Sequence, residues 1–167
     1  EPAKLRQKDV DARWTVKNEQ SHYGYKNHIN ADKTHKLIRR YHVTGASLHD
    51  SNAFDKVFDE KNAAKDIWAD SAYRAKKRET ELKARGYRSH IHHKGTRGHP
   101  LSESKQATNT RRSRVRARVE HVFGGQAAMG GKLMRSIGIV RARAKIGLRN
   151  LAYNLRRFVF LARPALA

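Results

Sequence analysis

The chain has no cysteine, which removes a disulfide framework and every thiolate zinc site from consideration and agrees with a reducing cytoplasm. Long apolar runs are missing too. The most extended, Phe158 to Ala162, is far too short to cross a bilayer, so no membrane partner is expected. Acid is the scarce charge: 15 Asp and Glu stand against 37 Lys and Arg, a formal +22 over 167 residues. That excess goes far beyond what solubility needs and points to a polyanionic partner, nucleic acid above all. Aromatics make up only 8% of the chain. Tyr23, Tyr25 and Trp68 read as sheet core in preference to base-stacking platforms, whereas Trp14 fits either a sheet edge or a DNA contact.

What is present reads as one α/β domain. Residues 1–21 lack apolar periodicity, and Pro2 argues against an immediate helix, so they are expected to form an extended lead-in. Residues 22–163 are expected to be the folded core and 164–167 a tail. His22 to Ala31 and Leu37 to Thr44 each alternate with period two around a turn at Asp32 to His35, the pattern of an antiparallel hairpin. Phe54, Val57 and Phe58 give a short helix from Asn52 to about Lys61 one apolar stripe, with Asp50 or Ser51 as its cap. A strand stopping at Asp70 comes next, then a charged helix from about Ala75 to Arg85 closed by Gly86, and a strand from Tyr87 to His92. A mobile basic loop, 93–104, carries Lys94 and Arg97 as candidate DNA contacts. Two helices complete the chain. One runs from about Lys105 to Phe123 and is broken by Gly124, Gly125, Gly130 and Gly131; the other runs from about Arg141 to Leu161 with Leu148, Leu151, Leu155 and Phe158 on its apolar stripe.

Two carboxylates stand out. Asp70 ends a short apolar strand, and in open α/β sheets chemistry gathers at the carboxyl ends of strands. The competing reading is a helix N-cap or turn former. Glu120 is the last acid of the chain, followed only by cations: Lys132, Arg135, Arg141 and more. Its plain explanation is an ion pair with Arg116, one helical turn earlier. The sharper reading has Asp70 and Glu120 converge on divalent metal, with Arg112 and Arg116 on the same stripe holding phosphates beside it. A histidine cluster at His90, His92, His93 and His99 suggests zinc as a lesser alternative.

The stretches His22-Tyr23-Gly24-Tyr25-Lys26-Asn27-His28, Val43-Thr44 to Ala46-Ser47 with His49-Asp50-Ser51, Ala69-Asp70-Ser71-Ala72-Tyr73, and Arg116 to Val119-Glu120-His121-Val122-Phe123-Gly124 occur in this order. Together they resemble the DDE transposases of bacterial insertion sequences, the IS5-type group in particular. The resemblance implies an RNase H-like mixed sheet flanked by helices, with Asp70 and Glu120 as second and third acids of the triad. It also implies Mg²⁺ as cofactor, with Mn²⁺ able to substitute, and cleavage and strand transfer of DNA at the element's ends and its target. A homo-oligomer in a synaptic complex and a nucleoid-associated location in the bacterial cytoplasm follow from the same likeness. Lys26, Arg112, Arg116, Lys94, Arg97 and Lys132 are the candidate DNA-binding cations. Ser113 and Ala127 replace a Tyr and a Lys of the related signature. The resemblance puts the first acid, with its strand, upstream of Glu1, so the chain is expected to be the C-terminal part of a transposase. A non-catalytic basic DNA-binding protein, or an inactive remnant, is the alternative.

Overall fold

The structure is a computed structural model that describes residues 2–17, 19–130 and 135–163. Pro2 opens a short helix, α1 (Pro2–Gln7), against the expectation of an extended start. In the first turn a missing N–H removes no helical hydrogen bond, so proline is tolerated there. The segment after it is also more than a lead-in, because β1 (Arg13–Lys17) pairs with β2 (Gln20–Ala31). Trp14 lies opposite Tyr23 across that pair, ring centroids 5.1 Å apart. Both rings are exposed, so Tyr23 is not core as expected, and its hydroxyl instead donates to the Asp9 carbonyl at 2.6 Å.

The expected hairpin is found. β2 pairs antiparallel with β3 (Ile38–Gly45), giving a three-stranded sheet in the order β1-β2-β3 with a bulge at Asn30/Ala31. Alternation along β2 serves both faces of this sheet. On one face His28 Nε2 lies 2.9 Å from Thr44 Oγ1, and Asn30 donates to the Val57 carbonyl at 3.0 Å. On the other, Ile29 and Ala31 pack near Ile38, Val122 and Tyr153.

His49, not Asp50 or Ser51, caps the next segment, its ring nitrogen accepting from the Ser51 N–H. The segment is a 3₁₀ turn (Asp50–Ala53) followed by a single helical turn, α2 (Phe54–Val57), with Phe54, Val57 and Phe58 buried as the spacing requires. A βαβ unit follows: β4 (Asp66–Ile67), α3 (Lys76–Ala84) and β5 (Arg88–Ser89), with β4 and β5 parallel. Parallel neighbours need such a crossover. The strands are shorter than expected, although main-chain bonding continues past them through His90 N to Ile67 O (2.7 Å) and His92 N to Ala69 O (3.1 Å). Gly86, at φ +75°, ends α3 as anticipated. Phe54, Phe58, Leu82, Tyr87 and Ile91 form the core beneath this unit.

Two long helices close the fold, α4 (Glu103–Ala128) and α5 (Ile139–Ala162). Gly124 and Gly125 do not break α4. A Cβ at Gly125 would lie 3.0 Å from Tyr153 Cε2, so the glycine lets the two helices approach while the backbone stays helical. The apolar stripe of α5 faces outward. Leu148, Leu151, Leu155 and Phe158 are 54–66% exposed, and the inward face consists of Ala142, Ile146, Asn150 and Tyr153. Side-chain amides decide that orientation. Asn150 Oδ1 accepts from Asn27 (2.9 Å) and from buried Gln126 (2.8 Å), while Asn154 exchanges two 2.8 Å bonds with the backbone of Ile38. Buried polar groups are costly unless paired, so these amide pairings fix the face together with the buried Ala142, Ile146 and Tyr153.

Replacing Gly125 with Val should overpack the α4/α5 contact and lower unfolding stability by about 1–3 kcal/mol. Urea denaturation followed by circular dichroism measures this, and Gly124→Val, where a Cβ meets nothing within 4 Å, is the control.

Candidate active site

Asp70 lies three residues beyond the end of β4, and its two oxygens have different work. Oδ1 accepts from the Ser71 N–H at 2.5 Å and from the Ser71 hydroxyl at 3.2 Å, capping the 3₁₀ turn Ser71–Tyr73. Oδ2 lies 3.5 Å from Arg116 Nη2. The N-cap reading is therefore correct, and it leaves one oxygen facing α4.

The same Arg116 nitrogen is 3.5 Å from Glu120 Oε1. Two acids fifty positions apart in sequence thus meet at one guanidinium nitrogen, and their oxygens are separated by at most twice 3.5 Å. Both carboxylates are substantially open, 47% exposed at Asp70 and 69% at Glu120. Oxygen donors of this kind suit a hard divalent cation, which takes one or two carboxylates and fills its remaining positions with water or phosphate. Among the described residues no group of three or more His, Cys, Asp or Glu side chains is arranged to hold a metal ion.

The site is assembled by anchors on α4. Arg112 donates to the Ile91 carbonyl at 2.6 Å, and Arg74 reaches the same oxygen at 3.0 Å. Asn109 exchanges bonds of 2.8 and 3.0 Å with the backbone of His93. These contacts hold the helix against the end of β5, one strand over from Asp70. Sequence reading missed Asn109 and Arg74; an Asn inside a long helix, where its propensity is poor, was the available signal.

His92 lies beside this assembly, buried, its Nε2 without a hydrogen-bond partner. Burial first, then the Arg116 and Arg112 charges, hold it below the usual histidine range, with Asp70 opposing. Tyr73 is pushed up to about 12 by burial, then by the charges of Asp50 and Asp70, so its hydroxyl stays protonated at neutral pH.

The other candidate cations scatter. Lys26 Nζ is engaged within the fold, 2.9 Å from the Leu48 carbonyl and 3.1 Å from Asp50 Oδ1. Lys94 and Arg97 are exposed around a turn bridged from Thr96 to His99, and Lys132 lies outside the described residues. The four histidines do not converge: His90 Nε2 donates to the Asp66 carboxylate at 2.9 Å and stacks on Trp68, whereas His92 is buried. Asp9 and Asp11 serve the fold. Asp9 accepts from Tyr25, and Asp11 accepts from the Ile139 N–H at the start of α5.

No described helix is long and apolar enough to cross a membrane. Residues 2–155 match the family model described as "Transposase DDE domain". The chain is 30% identical over 117 residues to the transposase for insertion sequence element IS1106 of Neisseria meningitidis serogroup B, a match covering 70% of this chain and 40% of that protein. The match therefore spans less than half the length of that relative. No solved structure matches it.

Arg88 and His90 bond to Asp66 and hold its carboxyl down at about 2. A depressed carboxyl stabilises the fold above its unfolded value, near 3.9, and that contribution disappears as pH falls towards 2. Arg88→Gln should therefore be less stable than wild type above about pH 4, with the two converging towards pH 2, in thermal unfolding scans across pH.

Proposed function

Since the chain belongs to the transposase DDE domain family, we propose that it is the part of an insertion-sequence transposase that carries two acids of a metal-dependent DNA-cleaving site, Asp70 and Glu120. The observation that carries this reading is the meeting of both acids at Arg116. Asp70 and Glu120 would hold a divalent ion, Mg²⁺ with Mn²⁺ as substitute, and the remaining acid would come from a segment preceding Glu1 on an RNase H-like sheet that this chain only partly supplies. When bound, such an ion activates a water or 3′-hydroxyl and stabilises the leaving oxygen of a phosphodiester.

The chain's own residues prepare that chemistry. Asp70 is oriented by its cap bond to Ser71, which engages one oxygen and leaves the other facing α4. Arg116 offsets the repulsion between the two carboxylates and retains donors for a phosphate oxygen, since a guanidinium carries five N–H groups. Arg112, tied to Ile91, presents a second guanidinium one turn earlier on the same helix face. The exposed Lys94 and Arg97 extend the cationic surface for a DNA backbone. DNA at the element's ends and the target are the proposed substrates, and a synaptic oligomer the proposed working assembly.

A binding role without cleavage is the second reading, favoured by the lack of a third acid beside the pair among the described residues. Nicking of supercoiled plasmid in Mg²⁺ or Mn²⁺ separates the two. An N-terminally extended form should nick, and Asp70→Ala in that form should fall to background. Absence of nicking by the extended form, or equal nicking by the variant, rejects the catalytic reading. Arg116→Ala should also abolish nicking while lowering the slope of log affinity against log salt for duplex DNA by about 1.

A further inference from the structure

Helix α5 buries one face and leaves the opposite one bare. Ala144, Leu148, Leu151, Leu155, Phe158 and Ala162 follow one another at alternating steps of four and three residues. That is the a/d repeat of a coiled-coil seam, and it lies on the side of the helix away from the inward Ala142, Ile146, Asn150 and Tyr153. Leu148, Leu151, Leu155 and Phe158 are each more than half exposed, as is Val159 beside them. Exposed leucines standing singly are ordinary, but a continuous apolar stripe along a helix marks a partner surface.

The charge pattern says which partner fits. α5 contains no acid. From Gly147 onward, the positions flanking the seam, where coiled coils place their charged pairs, hold only Gly147, Ala152, Asn154, Val159 and Leu161. The cations stand on the shoulders of the helix, and two are drawn aside onto carbonyls of their own chain. Lys145 reaches the Arg135 carbonyl, and Arg157 donates to the His35 carbonyl at 2.8 Å while lying over the Phe160 ring. An acidic peptide would find no cation along such a stripe. A second copy would find apolar side chains facing its own, with the cations of two +22 chains kept at the margins of the contact.

The order of the side chains also sets direction. Parallel copies would oppose each layer to itself and bring Arg141, the seam position before Ala144, against its own counterpart. Antiparallel copies related by a two-fold axis avoid this, because residue i then meets residue j and j meets i. With the axis between Leu151 and Leu155, Leu151 meets Leu155, Leu148 meets Phe158, and Ala144 meets Ala162. Large side chains fill the middle of the contact, alanines close its ends, and the two helix dipoles oppose each other.

We infer that the outward face of α5 is a self-association surface, on which two copies of this chain pair antiparallel through Leu148, Leu151, Leu155 and Phe158. The inference rests on the stripe and its charge pattern, and it stands apart from the DNA-cleaving role.

Sedimentation velocity of the full chain over a concentration series, without DNA or metal, tests it. Wild type should pass from one to two chain masses as concentration rises. It should do so more readily at higher salt, because screening relieves the repulsion between two strongly basic chains. Leu151→Lys and Leu155→Lys, both at exposed positions, should each weaken pairing by about tenfold or more with an unchanged circular dichroism spectrum. Arg156→Glu, off the seam, should not weaken it. Since the chain has no cysteine, engineered ones report direction. An equal mixture of Leu151→Cys and Leu155→Cys chains should form a mixed disulfide dimer under mild oxidation, and neither chain should cross-link to itself. A wild type that stays single at every concentration overturns the inference and gives the stripe to a different occupant. Pairing that survives both lysine variants, pairing that weakens as salt is raised, or self-cross-linking of Leu151→Cys also overturns it. Nicking is measured separately, so either result leaves the catalytic reading where its own test puts it.

Discussion

The carbonyl oxygen of Ile91 accepts from two guanidinium groups, Arg112 of α4 and Arg74 from the crossover between β4 and α3. Ile91 itself is fully buried in the aromatic core. One main-chain oxygen thus ties the long helix to the βαβ unit at the point where its strands end. Hydrogen bonds to charged donors are about twice as strong as neutral ones, and here two of them share a rigid, buried acceptor. Asn109 adds a second fastening to His93 a turn earlier. These fastenings set the rotation of the helix at this end and help bring Glu120 near Asp70.

The far end of α4 is fastened by different chemistry. Val122 and Gln126 face α5, and Gln126 shares the Asn150 oxygen with Asn27 of the central strand. Helix, helix and sheet therefore meet at one amide. This polar junction explains why α5 turns an amide-bearing face inward and leaves Leu148, Leu151, Leu155 and Phe158 outside. The site is held from both ends of a single helix, so the carboxylates can be exposed without being loose.

Charge is allotted unevenly over this frame. Several acids are spent inside the fold: Asp50 on Lys26, Asp59 on Arg39, Asp66 on Arg88 and His90. Asp70 and Glu120 differ in being open and in sharing a distant contact to Arg116, with Asp70 held besides by its cap bonds to Ser71. Carboxylates left exposed in a basic field are available to a cation, and the surrounding guanidinium groups to a phosphate. That division of labour agrees with membership of a transposase family more closely than overall basicity does, because basicity alone asks only for a charged surface.

The residue pattern was enough to read the hairpin of β2 and β3, the buried Phe54, Val57 and Phe58, and the glycine stop after α3, and it singled out Asp70 and Glu120 as candidate acids. Each of these rests on local chemistry: period-two alternation, helical spacing, a positive φ, or a carboxylate after a strand or among cations. It misled where the partner is remote. Gly125 read as a helix breaker because Tyr153 was out of view, and the apolar stripe of the α5 leucines gave no sign of its outward direction because the amides of Asn27 and Gln126 lie in other elements. The sequence by itself therefore determined the elements, the excess of positive charge and the two candidate acids. Only the tertiary structure decided that those acids meet at Arg116 and that the leucine stripe of α5 turns outward, because both depend on how the long helices dock, and docking is set by pairings between residues far apart in the chain.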